Sequence, residues 1–372
     1  MKKPLVSFTR LPRVIFAVGV AALLGSLAVP AHAVTIDMVT VGNAGNANDP
    51  GTGNVYGGVN YSYQIGKYDV TIGQYTDFLN AVAATDTYSL YNGSMATDLN
   101  TAGISRSGTS GAYAYSVIGP SGTTPAGASS PGNRPITYVS WWDSARFSNW
   151  MANGQPTGAQ SSTTTENGAY NVNGATSGNA PAKNATNPNT SAAPTLFIPN
   201  ENEWYKAAYF DPTLNSGSGG YYTYATQSNT DPGNIVGSGS NQANYYTGAG
   251  YSVTQSGDYD GNQNYLTNVG AFSGSGSFYG TFDQSGNVYQ WNDLDGTSGS
   301  SRGLRGGYWD DSRPFSLSSS SSFSDAPSDE ISFIGFRLAS PVAVVPEPST
   351  WVMGLAGIAC GGWEMWRRRR AR

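Results

Sequence analysis

Residues 278–291 constrain this chain more than any other stretch. Phe278, Tyr279, Phe282, Tyr289 and Trp291 stand among Gly280, Gly286 and a series of oxygen-bearing side chains, all within one short turn-rich segment. Aromatics packed that closely with turn formers read as the centre of a buried loop around which a core is assembled.

Composition points the same way. Glycine (48 of 372 residues), serine, asparagine and threonine are abundant and charged residues are sparse, so loops dominate the expected structure. Residues 34–340 contain 10 basic and 22 acidic residues, a balance of about −12. That balance disfavours nucleic acid, whose phosphates need clustered Lys and Arg, and suits cations instead. The one histidine, His32, and the one cysteine, Cys360, fall outside this span. Ser-His-Asp and Cys-His nucleophiles, Cys/His zinc sites, haem ligation by those residues and a disulfide framework are therefore excluded within it.

Both ends carry processing patterns. Residues 1–33 read as a secretory signal peptide, with a basic start, an apolar run over 14–29 and the small-residue site Ala31-His32-Ala33. An uncleaved anchor is the alternative. After Ser340 the chain runs through Val345-Pro-Glu-Pro-Ser-Thr350, an apolar stretch over 351–366 and Arg367 to Arg370. Read as a helix, 351–366 is about 24 Å long against a hydrocarbon core of about 30 Å, with Glu364 snorkelling beside the arginines. Arginines on the cytoplasmic side place the preceding domain outside the inner membrane. About 300 residues remain for one domain over 34–340, enough for a sizeable core.

Local patterns place a few elements in that domain. Residues 35–41 alternate like a strand, and a second strand is expected near 61–67. Thr71 with Gln74 forms a capping box ahead of Tyr75, Phe78, Leu79 and Val82, so a helix is expected to about Ala84. Ser140 with Asp143 in the first turn starts a second helix, on which Phe147, Trp150 and Met151 share a face. Asn200 and Glu203 start a third, with Trp204, Ala207 and Ala208 on one stripe. These tryptophans, with Trp141 and Trp142, read as core. Residues 154–194 are rich in Gly, Ser, Thr, Asn, Ala and Pro and are expected to form a mobile surface insertion. A looser region is expected over about 215–256, partly packed through its tyrosines.

The run Tyr279-Gly-Thr-Phe-Asp-Gln-Ser-Gly-Asn-Val-Tyr-Gln-Trp291 resembles a signature of the sulfatase-modifying factor family, which includes the formylglycine-generating enzymes. Val139-Ser-Trp-Trp-Asp-Ser-Ala145, Ile198-Pro-Asn-Glu-Asn-Glu-Trp-Tyr-Lys-Ala-Ala208, Leu304-Arg-Gly-Gly-Tyr-Trp309 and Ile334-Gly-Phe-Arg-Leu338 follow the family's order. With Tyr63-Gln-Ile-Gly-Lys-Tyr-Asp-Val-Thr71 the resemblance covers about 56–340. It implies an α+β, loop-rich variant of the C-type lectin fold with little regular secondary structure, and a fold does not fix an activity. The terminal segment 341–372 resembles a PEP-CTERM sorting signal. That likeness implies recognition by an exosortase, cleavage near the Pro-Glu-Pro motif, and export to the surface or extracellular matrix of a Gram-negative bacterium. A plain tail anchor is the alternative.

The resemblance also locates candidate sites. Formylglycine-generating enzymes hold copper on two cysteines, and alignment on Gly306-Gly307 puts those positions near Asp311 and Ser316, neither of which offers a thiolate. No copper, iron or zinc is therefore expected. Asp310, Asp311 and Arg313 read either as a polar pocket or as a solvated loop with local salt bridges. The family's first calcium site matches Asn244, Tyr245, Asp260 and Asn262, and an Asx-rich turn without metal is the alternative. The second matches Asp283, Gly286, Val288 and Gln290, with an amide where the family usually has a glutamate. The functional expectation is a non-catalytic binding or structural module associated with exopolysaccharide. The alternatives are a metal-dependent enzyme of this family using carboxylate ligands, and a matrix component without a defined ligand.

Overall fold

The computed structural model describes residues 33–124 and 130–341, all of which lie in one compact unit, 31–372. The signal peptide expected over 1–33 and the sorting signal and membrane helix expected over 341–372 fall outside the described residues, apart from Ala33 and Pro341. Among the described residues no helix is long and apolar enough to cross a membrane.

In chain order the elements that organise the fold are β1 (Met38–Val41), β2 (Tyr63–Gly66), α1 (Ile72–Val82), α2 (Ser94–Thr97), β3 (Ile104–Ser107), β4 (Ala114–Val117), α3 (Trp141–Ala152) and α4 (Glu201–Tyr209). They continue with β5 (Phe210–Asp211), β6 (Gly220–Tyr221), β7 (Tyr289–Asn292), β8 (Arg302–Arg305), β9 (Phe323–Asp325), β10 (Ile334–Phe336) and β11 (Ala339–Ser340). Long irregular segments separate them, which makes this a loop-rich α+β fold.

The three long helices begin where capping chemistry puts them. Thr71, Ser140 and Asn200 are extended N-caps that accept the N–H three residues on, and Gln74, Asp143 and Glu203 accept the cap's own N–H in return. α1 buries Tyr75, Phe78, Leu79 and Val82. α3 departs from the expected single face, because all 12 of its residues are buried. Phe78 meets Phe147 at 5.3 Å and Trp150 at 5.2 Å, and Phe147 meets Phe336 of β10 at 5.4 Å, so α1, α3 and the central sheet share one aromatic core.

That sheet has the order β10-β7-β8-β9, with β10 parallel to β7 and the other pairs antiparallel. A second sheet, β1-β2-β11, joins both ends of the domain. The loop leading into β7 is buried, as its composition indicates: Thr281, Gln284, Ser285 and Asn287 are all inaccessible, although Phe278 at its start is exposed. Gly286 is left-handed (φ 85°), and a Cβ there would meet the Asn244 carbonyl oxygen at 2.3 Å, so that position requires glycine.

The stretch 154–194 exposes many of its residues but is anchored in the domain. Ala169, Tyr170, Val172 and Ala180 belong to the main core. Asn149 Nδ2 of α3 donates to the carbonyls of Thr165 and Tyr170, and Arg146 pairs with Glu166 through two bonds of 2.9 Å. Hydrogen bonds and an ion pair with α3 hold this stretch, and apolar content does not register them. Region 215–256 is mixed: Tyr224, Tyr245 and Tyr251 are buried and Ile235 is exposed.

Candidate functional site

The two positions that alignment assigns to the family's cysteines meet in space. After β8, Gly306 (φ 108°) and Gly307 (φ 75°) turn the chain into Tyr308–Asp311, and a Cβ on Gly307 would stand 2.7 Å from Leu317. Asp311 is buried, and its Oδ2 accepts from the Tyr289 hydroxyl at 3.2 Å. Ser316, buried on the 3-10 turn Pro314–Leu317, sits beside both Asp311 and Tyr289 and lowers the pKa of each. Burial pushes the Asp311 carboxyl up from the usual range, while the Ser316 and Tyr289 hydroxyls and the Arg313 charge pull it back. The expected solvated loop with local salt bridges is not found. Among the described residues no ion pair joins Arg313 to Asp310 or Asp311, and Asp310 instead accepts from the Tyr251 hydroxyl at 2.8 Å.

Every donor around Asp311 is a hard oxygen, so the cluster does not fit copper(I), which seeks soft sulfur. Sequence reasoning did not find the aromatic wall above it. Tyr308 packs on Phe333 at 4.4 Å, Tyr289 lies 5.7 Å from Tyr308 and 5.6 Å from Phe323, and Phe323 and Phe315 are exposed. Only Tyr289 and Tyr308 fall within recognised motifs, and which aromatics meet is set by the β7–β8 register, with Gln290 opposite Arg305.

A second aromatic group flanks this wall on the other side of Trp309. Tyr265 stacks on Trp309 at 4.8 Å with the rings 5° apart, and Tyr259 stacks on Tyr265 at 5.9 Å. Tyr251 closes the group at 4.4 Å from Tyr265, and Tyr246 lies 4.6 Å from Tyr251. Tyr259 is 56% exposed, and the Trp309 indole N–H is buried without a hydrogen-bond partner. Tyr245 does not join this surface: it is buried, and its hydroxyl donates to the Pro232 carbonyl.

The positions matched to calcium ligands serve other bonds. At the second site Gln290 Oε1 accepts from Trp204 Nε1 at 2.7 Å and from Arg337 Nε at 2.6 Å, while its Nε2 donates to the Asp283 carbonyl at 2.7 Å. Asp283 Oδ2 accepts from the Gly270 N–H, and the Gly286 carbonyl accepts from Val288 N. With the Gln290 oxygen facing two donors, one of them a guanidinium, this set does not fit a cation.

At the first site Asn244 Nδ2 donates to Tyr265 O and Asn287 Oδ1, and the Tyr245 carbonyl accepts from Asn234 and Ser252. Asp260 is exposed, and its Oδ1 accepts from the N–H and the amide of Asn262, which is an Asx turn. Of the matched oxygens, the Tyr245 carbonyl and Asp260 Oδ1 thus already accept from protein donors. Asn287 itself is structural, accepting from Thr267 N and donating to Thr267 O. Among the described residues no group of three or more His, Cys, Asp or Glu stands together as a metal site.

Comparison with known proteins gives the family. The crystal structure of CarF is 21% identical with a TM-score of 0.44, covering 83% of this chain and 99% of that one. Treponema denticola variable protein 1 is 17% identical with a TM-score of 0.42, over 83% and 96% of the two chains. PvdO from Pseudomonas aeruginosa is 16% identical with a TM-score of 0.41, over 82% and 94%. No curated protein matches the chain. The sulfatase-modifying factor enzyme 1-like domain matches residues 44–342, and the chain belongs to that family.

Proposed function

We propose that this protein is an exported, non-catalytic binding module of the sulfatase-modifying factor family whose ligand is a matrix carbohydrate. The observation that carries the reading is the Asp311–Ser316 pair: at the family's copper position stand a buried carboxylate that accepts from Tyr289 and, beside it, a hydroxyl. The aromatic group ending in exposed Tyr259 supplies a ring on which the C–H face of a sugar stacks, and Asp310 supplies an acceptor beside it. The terminal segments support export, with an exosortase as the processing partner and the cell surface or extracellular matrix as the destination.

A glycan array probed with the full chain tests this reading. Binding to a subset of polysaccharides that is lost in Tyr259→Ala supports it, and a flat response across the array overturns it. A second reading rests on Asp311 itself, since a carboxyl with a raised pKa beside two hydroxyls has the chemistry of a general acid or base. Turnover of any substrate that disappears in Asp311→Ala would favour that enzyme reading.

A further inference from the structure

A groove of about 500 Å³ lies at the far end of the central sheet from Asp311, where the β7–β8 loop passes the first turn of α4. Its walls include Val55, Tyr56, Glu201, Asn202, Thr297 and Ser300. The volume is within the range of about 300–1,000 Å³ that holds small ligands. We infer that this groove is a separate binding site for a neutral oligosaccharide. The inference is independent of the aromatic group at Tyr259, because none of its residues lines the groove.

Charge decides the ligand class first. Glu201 is ion-paired with Arg305, and Arg302, which also lines the groove, is ion-paired with Asp293 at 3.3 Å. The remaining charged wall residue, Asp295, has its carboxylate held by the N–H and hydroxyl of Thr297 in its own turn. An anion gains no seat at the start of α4 either, since the Glu201 N–H donates to Leu294 O and the Glu203 N–H to Asn200 Oδ1. Neither sign of charge is called for.

The remaining chemistry is that of a sugar. Glu201 is 4% exposed and ion-paired with Arg305, so it lines the groove without a free carboxylate. Around it stand the Asn202 amide, whose Oδ1 also accepts from Gly57 N, the Thr297 hydroxyl, left as an acceptor by its bond to Asp295, and the Ser300 hydroxyl. The apolar part of the wall is Leu294, Val55, 55% exposed, and the Tyr56 ring, which is fixed on its inner side by the Arg305 guanidinium at 4.7 Å and by Tyr205 at 6.0 Å. A rigid ring and an aliphatic side chain facing a rim of neutral hydrogen-bonding groups match a pyranose, with its apolar face and hydroxylated edge.

Calorimetric titration of the full chain in a non-glycosidic detergent tests the site, carried out in the Tyr259→Ala background so that the aromatic group does not contribute. The probes are maltotriose and cellotriose, with trigalacturonate and the deacetylated glucosamine trimer as charged counterparts. Saturable binding of a neutral trisaccharide, weakened at least about tenfold by Ser300→Trp and by Thr297→Trp, supports the site. Both positions are exposed, so these variants block the groove from its rim. Absence of binding by both neutral probes, equal binding in both blocked variants, or tighter binding of a charged trimer overturns it. Because the Tyr259 group is already removed, none of these results bears on the proposal made for that group.

Discussion

At Gln290 a single residue decides what its loop does. Its amide accepts from Trp204 and Arg337 and donates to the Asp283 carbonyl, three bonds that a carboxylate cannot make together. Gln290→Glu therefore lowers stability by about 1–3 kcal/mol in urea unfolding with chelator present, because the donor to Asp283 is lost. Asp143 gives a second prediction. Burial, and next the charge of Glu330, push its carboxyl up to about 7, against the bonds from Ser140 and the charge of Arg146. A carboxyl raised above its ordinary value of about 3.9 binds its proton more tightly in the folded state. Its stabilising contribution is thus complete below about pH 4 and is lost as pH rises through about 7. The melting temperature is expected to rise as pH falls from about 8 to about 5, and Asp143→Asn flattens that slope. Asp311 and Ser316 were legible in the sequence because Gly306-Gly307 fixes their alignment. Glu330 was not, because it approaches Asp143 from a loop remote in sequence.

The helices show what sequence can and cannot locate at the scale of elements. Their starts are local: an oxygen-bearing cap and its partner three residues on fix Thr71, Ser140 and Asn200. The surroundings of α3 are not local. Glu166, in a stretch whose composition reads as loose, neutralises Arg146, which is fully buried. Glu166→Ala leaves that guanidinium without its counter-charge and is expected to cost about 3–5 kcal/mol in chemical denaturation. Deleting 154–194 is expected to yield no cooperative thermal transition, since Ala169, Tyr170 and Val172 leave the core with it. A substitution confined to exposed Ser162 changes stability by less than about 0.5 kcal/mol, which separates loss of these contacts from general sensitivity of the stretch.

Taken whole, the molecule holds few charges and buries many of those it has. Arg146, Arg302, Arg305 and Arg337 are each at most 1% exposed, and each pairs with an acidic residue, which for Arg305 and Arg337 is distant in sequence. The motifs containing Arg305 and Arg337 mark the family, but nothing local reveals that Glu201 and Asp69 are their partners. Elemental mass spectrometry of the purified full chain is expected to find no stoichiometric copper or iron. Chelation is expected to leave the melting temperature unchanged, because Gln290 Oε1 and Asp260 Oδ1, both matched to calcium, already accept protein hydrogen bonds. Stoichiometric calcium whose removal lowers the melting temperature would contradict that account.

The β1-β2-β11 sheet carries one more consequence. Ala339 lies opposite Ile65 and Ser340 opposite Gln64, so a strand near the start of the domain is completed by residues near its end. Arg337, three residues before Ser340, bonds to the Gly66 carbonyl and to Asp69. Closing so long a loop is entropically costly and slow, and it cannot begin until both strands are present in one compartment. In a chain emerging from the ribosome this sheet therefore stays incomplete until almost all of the domain has been made. Such a late-closing topology leaves one edge of β2 unpaired for most of the chain's synthesis.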